Sequence, residues 1–298
     1  MNCGKNKILI LTDSNGGMTQ SIEGLCIVPM PVIIEQKIYF EDQSISREDF
    51  FTKMNQGMSI STSQPNLGTL IEIIEEKLKW YDQIVYIPMS SGLSGSMMNA
   101  KILENEYNNK FYVVDNHRIS SSLKQSVIEA LIMVKNGYTA CKIQEVLEQE
   151  KFDSSIYLYV NALDYLKKGG RVSKTVFSIV DKFEIKPVLQ IQGNEIELYK
   201  ITRGKKAAQK MIVKAIQKEL ETKYKGQKVN IIGAHSSMCD EGRKWSEYLE
   251  NYFPKNYIGT DILPLSICCH TGPEAFAVCC CVDEIKEHGY VDGRKIGY

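Results

Sequence analysis

Apolar and polar residues follow two periods along this chain, and the period changes at short polar turns. Lys7–Thr12 is a continuous apolar run that ends at Asp13-Ser14-Asn15-Gly16-Gly17. A run without alternation suits a strand buried on both faces of a parallel sheet. Cys26–Ile34 reads as a second strand and Arg47–Met54 as a short helix. Ser61-Thr62-Ser63-Gln64-Pro65-Asn66 then opens a helix, because Leu67, Leu70, Ile71, Ile74 and Leu78 recur at helical spacing. Gln83–Pro88 is another apolar strand, running into Met89-Ser90-Ser91-Gly92-Leu93-Ser94-Gly95-Ser96. A helix continues from there through Ala100 to Glu106. Lys110–Asp115 reads as a strand, and about Ser122 to Asn136 as a helix.

Strand, polar turn and helix in repetition predict a parallel α/β sheet. Ligands of such sheets sit beyond the carboxyl ends of the strands, where these Ser-, Thr- and Gly-rich turns fall. The second half is less uniform. Ser155–Val160 is a strand, and Lys167-Lys168-Gly169-Gly170-Arg171 a turn. Phe183–Gln192 and Glu195–Thr202 read as a hairpin around Gly193-Asn194. A helix over Lys205–Lys225, a strand over Val229–Ala234 and a helix over Asp240–Asn251 follow. Ser266–His270 and Ala275–Val282 read as two closing strands around Thr271-Gly272-Pro273. The expected fold class is α/β with two domains. Residues 1–150 form a parallel α/β domain carrying the loops, and residues 151–298 a mixed α/β domain.

Charge sharpens this division. The 298 residues carry 36 basic and 36 acidic side chains, for a net charge of zero. Residues 1–150 hold 13 basic and 18 acidic groups, or −5; residues 151–298 hold 23 and 18, or +5. Overall neutrality argues against bulk attraction to nucleic acid or an anionic membrane. The longest apolar run, Leu25 to Ile34, has ten residues and includes Pro29 and Pro31. That is well short of the roughly 18 needed to span a bilayer. The N-terminal run reads as a strand entering a turn, not as a leader, so a cytoplasmic location is expected. Five of the nine cysteines crowd into Cys268–Cys281. Adjacent cysteines suit neither disulfide frameworks nor zinc spacing, so small buried apolar residues are expected there and no metal.

The candidate chemistry is hydroxyl-rich. Thr62 and Ser63 precede one helix; Ser90, Ser91, Ser94 and Ser96 surround Gly92 and Gly95 before another. Such loops either cap helices or cradle a carboxylate or phosphate. The lysine of a nucleotide-binding P-loop is missing. His270 is either a core histidine or a donor that orients a hydroxyl or an anionic head group. A serine-dependent hydrolase or transferase using Ser91 or Ser94 with His270 is the alternative function, although SGLSG is not the GxSxG nucleophile turn. Arg171 and Arg203 follow turns and suit either a surface or an anion. Lys206, Lys210, Lys214 and Lys218 repeat every four residues, as a solvated helix face or a docking surface for an acidic partner.

LTDSNGG (11–17), STSQPN (61–66), MSSGLSGS (89–96), VVDN (113–116), YLKKGGRVS (165–173), IKPVL (185–189) and HTGPEAFAV (270–278) occur in this order over nearly the whole chain. Together they resemble the DegV family of fatty-acid-binding proteins, including the FakB-type subunits of bacterial fatty acid kinase. The resemblance implies a lipid-binding carrier, not an enzyme, with a long-chain fatty acid as ligand and no other cofactor. It implies a separate ATP-dependent kinase that converts the bound acid to an acyl phosphate. It leaves room for transient membrane contact and gives no role to nucleic acid. Carried over by position, Thr62 and Ser94 bind the carboxylate. Ser63, Ser91, His270 and Thr271 form a supporting polar network, and Arg171 and Arg203 face the kinase. Met97, Met98, Ile267 and Phe276 are the expected tunnel liners. The chain departs from the family pattern at Glu274, where glycine is usual, at Asn116, and at Ser122 and Lys124, where glycines are expected.

Overall fold

The computed structural model describes residues 6–18, 22–172, 186–193, 195–238 and 240–283. Residues 183–185 and Asn194 of the expected hairpin, and Ser173 of the YLKKGGRVS motif, lie outside these residues. Three sheets form the frame. The first has the order β2-β1-β6-β7, from Leu25–Val28, Ile8–Asp13, Gln83–Ile87 and Phe111–Val113, and every pairing in it is parallel. β1 is buried along its whole length. That explains its unbroken apolar run.

Helices α2 (Leu67–Lys77), α3 (Ser96–Glu106), α4 (Ser121–Lys135) and α5 (Ala140–Gln149) connect and flank these strands. α2 begins where Asn66 Oδ1 accepts the Gly68 amide at 2.8 Å, an ordinary N-cap. The expected strand over 26–34 is broken in two. Pro29 and Pro31 offer no N–H to a ladder, so β2 ends at Val28 and β3 starts afresh at Val32–Ile34. β3 is the centre of a three-stranded antiparallel sheet, between β4 (Lys37–Tyr39) and β5 (Ile60–Thr62). Helix α1 (Arg47–Asn55) lies between β4 and β5 in sequence.

The third sheet is mixed, with the order β10-β9-β8-β13-β11-β12. Its strands are β8 (Ser154–Tyr159), β9 (Lys186–Gln192), β10 (Glu195–Thr202), β11 (Val229–His235), β12 (Tyr257–Ile262) and β13 (Phe276–Val282). β9 and β10 pair antiparallel, as the hairpin reading expects. Helix α6 (Asp164–Lys168) follows β8; α7 (Lys205–Glu221) and α8 (Glu241–Tyr252) bury one stripe each. On one face of this sheet, Ala208, Ile212 and Ile216 of α7 and Trp245 of α8 pack on Tyr157, Val278 and Cys280. The other face contributes Ile156, Leu158, Ile191, Ala277 and Cys279 to a core shared with the first and second sheets.

Residues 265–271 depart from the sequence reading. The segment expected as a closing strand is helix α9 (Leu265–Thr271). Six of its seven residues are buried, so no solvent-facing stripe reveals the helical period. Gly272 closes α9 with φ 72°, and a β-carbon at this position would collide with the Tyr165 ring.

Candidate functional site

A cavity of about 910 Å³, counting its open mouth, lies between the mixed sheet and the loops of the first two sheets. Its apolar walls are Ile156, Leu158, Ile191, Ile196, Ala277 and Cys279 on the sheet side. Met30, Met89, Leu93, Leu166 and Ile267 line it from the other elements. Period-two alternation puts these sheet residues on one face, and the tyrosines and Cys280 on the other. Polar side chains converge on the same cavity: Thr62, Ser63, Ser94, Arg171, His270 and Thr271. Ser91 and Arg203 are not among its lining residues. Arg203 stands exposed just before α7. Of the four expected tunnel liners, only Ile267 lines the cavity. Met98 is 69% exposed, while Phe276 and Met97 pack into two other clusters.

The centre of the polar group is a contact between two elements. Thr62 ends β5, and its Oγ1 lies 2.8 Å from Nε2 of His270 on α9. His270 Nδ1 is buried without a hydrogen-bond partner among the described residues. The ring packs against the backbone at Gly169, where a β-carbon would collide with Nδ1. Glycine is therefore the residue that lets the α6 turn approach the histidine so closely. Burial, then the nearby Arg171 charge, push the His270 pKa down to about 4. The imidazole is neutral at pH 7.

Ser94 sits two residues before α3. Its Oγ accepts the Ser96 amide at 3.2 Å and shares a hydrogen bond with Ser96 Oγ at 2.8 Å. It thus takes up the first amide of α3, whose N-cap is Gly95, and is also a cavity-lining hydroxyl. Arg171 donates to the carbonyls of Leu93, at 3.2 Å from Nε, and Gly169. These bonds tie the SGLSG loop to the KKGGR turn. The histidine's hydroxyl partner is threonine, and Ser94 is bonded to Ser96, so a Ser–His nucleophilic pair at Ser94 is not formed.

α9 is fixed from outside the cavity. Its N-cap is Pro264, which offers no side-chain cap. Glu41 Oε2 supplies one by accepting the Leu265 amide at 2.8 Å. Arg47 donates to the Leu263 carbonyl at 2.8 Å and pairs with Glu41 at 3.6 Å.

Sequence reasoning missed Asn15 and Ser266 as lining residues. Ser266 Oγ donates to Asn15 Oδ1 at 2.7 Å, and Asn15 Nδ2 donates to Asp13 Oδ1 at 2.8 Å. Asp13 also accepts the Met89 amide at 2.8 Å, and burial raises its pKa. The LTDSNGG turn contained the signal, a buried strand ending in Asp-Ser-Asn. The departures from the family pattern are absorbed locally. Ser122 Oγ bonds back to the Ile119 carbonyl at 2.7 Å, and Lys124 Nζ pairs with Asp261 at 2.7 Å. Glu274 takes φ 61°, accepts from Asn161 Nδ2 at 3.0 Å and does not line the cavity. Among the described residues, no group of three His, Cys, Asp or Glu is placed to hold a metal ion. No helix among them is long and apolar enough to cross a membrane.

The model of the DegV family, described there only as an uncharacterised protein family, matches residues 7–283. The chain belongs to the DegV family. A DegV domain-containing protein of Clostridium perfringens is 28% identical, over 91% of this chain and 96% of that one. A solved DegV family structure from Thermus thermophilus, described by its fatty acid binding, is 24% identical. It superposes with a TM-score of 0.83 over 93% of this chain and all of that chain (100%). A hypothetical protein from Thermotoga maritima, whose structure is described as revealing a fatty acid binding function, is 26% identical. Its TM-score is 0.75, over 93% of this chain and 100% of that chain.

Proposed function

We propose that this DegV protein binds a long-chain fatty acid in the cavity and carries it in the cytoplasm. Its carboxylate is presented to a separate ATP-dependent kinase that makes the acyl phosphate. The observation that carries this reading is a cavity with apolar walls on the mixed sheet whose lining also holds the Thr62–His270 pair, with the imidazole neutral, and the Ser94 hydroxyl. The fatty acid binding described for the Thermus and Thermotoga relatives supports it.

Burying a chain of about sixteen carbons at roughly 0.8 kcal/mol per CH₂ gives on the order of 10 kcal/mol before the costs of association. The head group cannot be buried unpaired, because an isolated carboxylate loses its hydration. In this scheme Thr62 and Ser94 donate to it, while Ser63, His270 and Thr271 complete the polar network; Ser91, which does not line the cavity, is left out of direct contact. Neutral donors leave the carboxylate oxygens nucleophilic, where a bidentate arginine would damp them. Arg171 is already engaged with two carbonyls, and together with exposed Arg203 it is assigned to the incoming phosphate. The protein is then a carrier and co-substrate, with the chemistry supplied by the kinase.

The test is denaturing extraction of protein purified from a bacterial host, with mass spectrometry of the extract. A stoichiometric fatty acid is expected. An extract without acyl species, from protein that also fails to bind added fatty acid, would overturn the proposal.

A further inference from the structure

Taking the acyl chain with its carboxylate at Thr62 as given, we infer that Cys279 is the floor of the tunnel and sets the length of chain the protein accepts. β13 starts at Phe276, six residues after His270, and runs on to Val282. Its cavity-facing side chains are Ala277 and then Cys279. The adjacent strands keep the same rungs. Ala277 pairs with Leu158 on one side and Ala234 on the other, and all three line the cavity. Cys279 pairs with Ile156, which pairs with Ile191, and that rung lines it too. The next rung pairs Cys281 with Ser154, and neither residue reaches the cavity.

What lies behind that rung explains the stop. Cys281 is fully buried, with its sulfur 3.2 Å from that of Cys279. Arg118, only 1% exposed, stands in the same region between Glu129 at 3.3 Å and Glu150 at 3.7 Å. Ile119, the residue after Arg118, lines the cavity together with Ser120 and Ser121. A methyl terminus cannot advance into a buried charge cluster without separating its ions, which is costly. Hydrogen bonding to Cys281, then burial, keep the Cys279 thiol protonated. The floor is therefore small, neutral and close-packed, and its volume translates directly into chain length.

The experiment offers a graded mixture of saturated fatty acids to four proteins: the unmodified chain, Cys279→Ala, Cys279→Leu and Cys280→Ala. The bound species are then quantified by mass spectrometry. Cys279→Ala is expected to lengthen the preferred chain by about one methylene, and Cys279→Leu to shorten it by about two. Cys280 is equally buried but faces the α7–α8 side, so its truncation leaves the profile unchanged. Normal loading with an unchanged profile in the Cys279 variants overturns the inference. So does an equal shift in Cys280→Ala, which would mean general loosening of the strand. If Cys279→Leu does not fold, Cys279→Ala against Cys280→Ala still decides. Absence of any acyl species from the unmodified chain would overturn the fatty acid reading itself, a distinct result.

Discussion

His270 Nε2 and Thr62 Oγ1 lie 2.8 Å apart although 208 residues separate them in the chain. This one bond joins α9 to the end of the three-stranded sheet, and both groups line the cavity. With the imidazole neutral, the tautomer decides which group donates: Nε2–H donating to Oγ1 leaves the Thr62 O–H free for an arriving carboxylate, whereas the other tautomer makes carboxylate and ring compete for it.

Thr62→Val keeps the β-branched shape and removes the hydroxyl. One hydrogen bond to a charged group contributes about 1.5–3 kcal/mol, so fatty acid affinity should fall about 10- to 100-fold. Displacement of a fluorescent fatty acid measures it. Unchanged affinity would remove Thr62 from the head-group site.

The low pKa of His270 carries a sign for stability. The ordinary value is 6.5 and the folded value about 4. Between them the unfolded chain binds the additional proton, so this residue's contribution is present above the ordinary value and is lost as pH falls towards the folded one. Urea unfolding at pH 7 and pH 5 should show His270→Gln losing less stability on acidification than the unmodified chain. A carboxylate bound beside the ring favours its charged form, so the His270 NMR titration midpoint should rise on loading. Equal acid sensitivity in both proteins, with a midpoint that ligand does not move, would contradict this assignment.

The sequence made much of this arrangement legible, for physical reasons that differ by segment. β1 and β6 announce themselves because strands buried on both faces are apolar throughout. The loops holding Thr62 and Ser94 are legible because hydroxyls and glycines collect at helix starts. α9 was not. A short helix buried almost all round has the composition of a strand, and only Pro264 before it and Gly272 after it mark its ends. β3, β4 and β5 have three residues each, too few to display a period. Arg118 gives no sign in the sequence that it is buried between two carboxylates. The pairing of Thr62 with His270 is a property of the assembled sheets and has no local signature.

Gly169 should tolerate no side chain. Gly169→Ala would drive a methyl into His270 Nδ1, so the ring must rotate away and its bond to Thr62 lengthen. Overpacking of this kind costs about 1–3 kcal/mol. Denaturant unfolding and fatty acid binding should both weaken, and in Thr62→Val, where the bond is already gone, the added loss of binding should be smaller. Full additivity of the two effects would show that Gly169 does not act through His270.

The charge asymmetry of the chain gives the last prediction, which rests on the kinase reading. α7 buries Ala208, Ile212, Ala215 and Ile216 against the mixed sheet and leaves Lys206, Lys210, Lys214 and Lys218 exposed. None of these lysines faces the acyl cavity. Their apolar neighbours are already used in the core, so the stripe has charge to offer a partner and little apolar surface. Rim charges of this kind act mainly on association rate and its salt dependence. Reversing three of them, Lys206→Glu, Lys210→Glu and Lys214→Glu, should leave lipid binding intact. With the kinase, phosphate transfer should slow at low salt, and the difference from the unmodified protein should shrink as ionic strength rises. Equal rates at every salt concentration would assign the stripe to solvation alone.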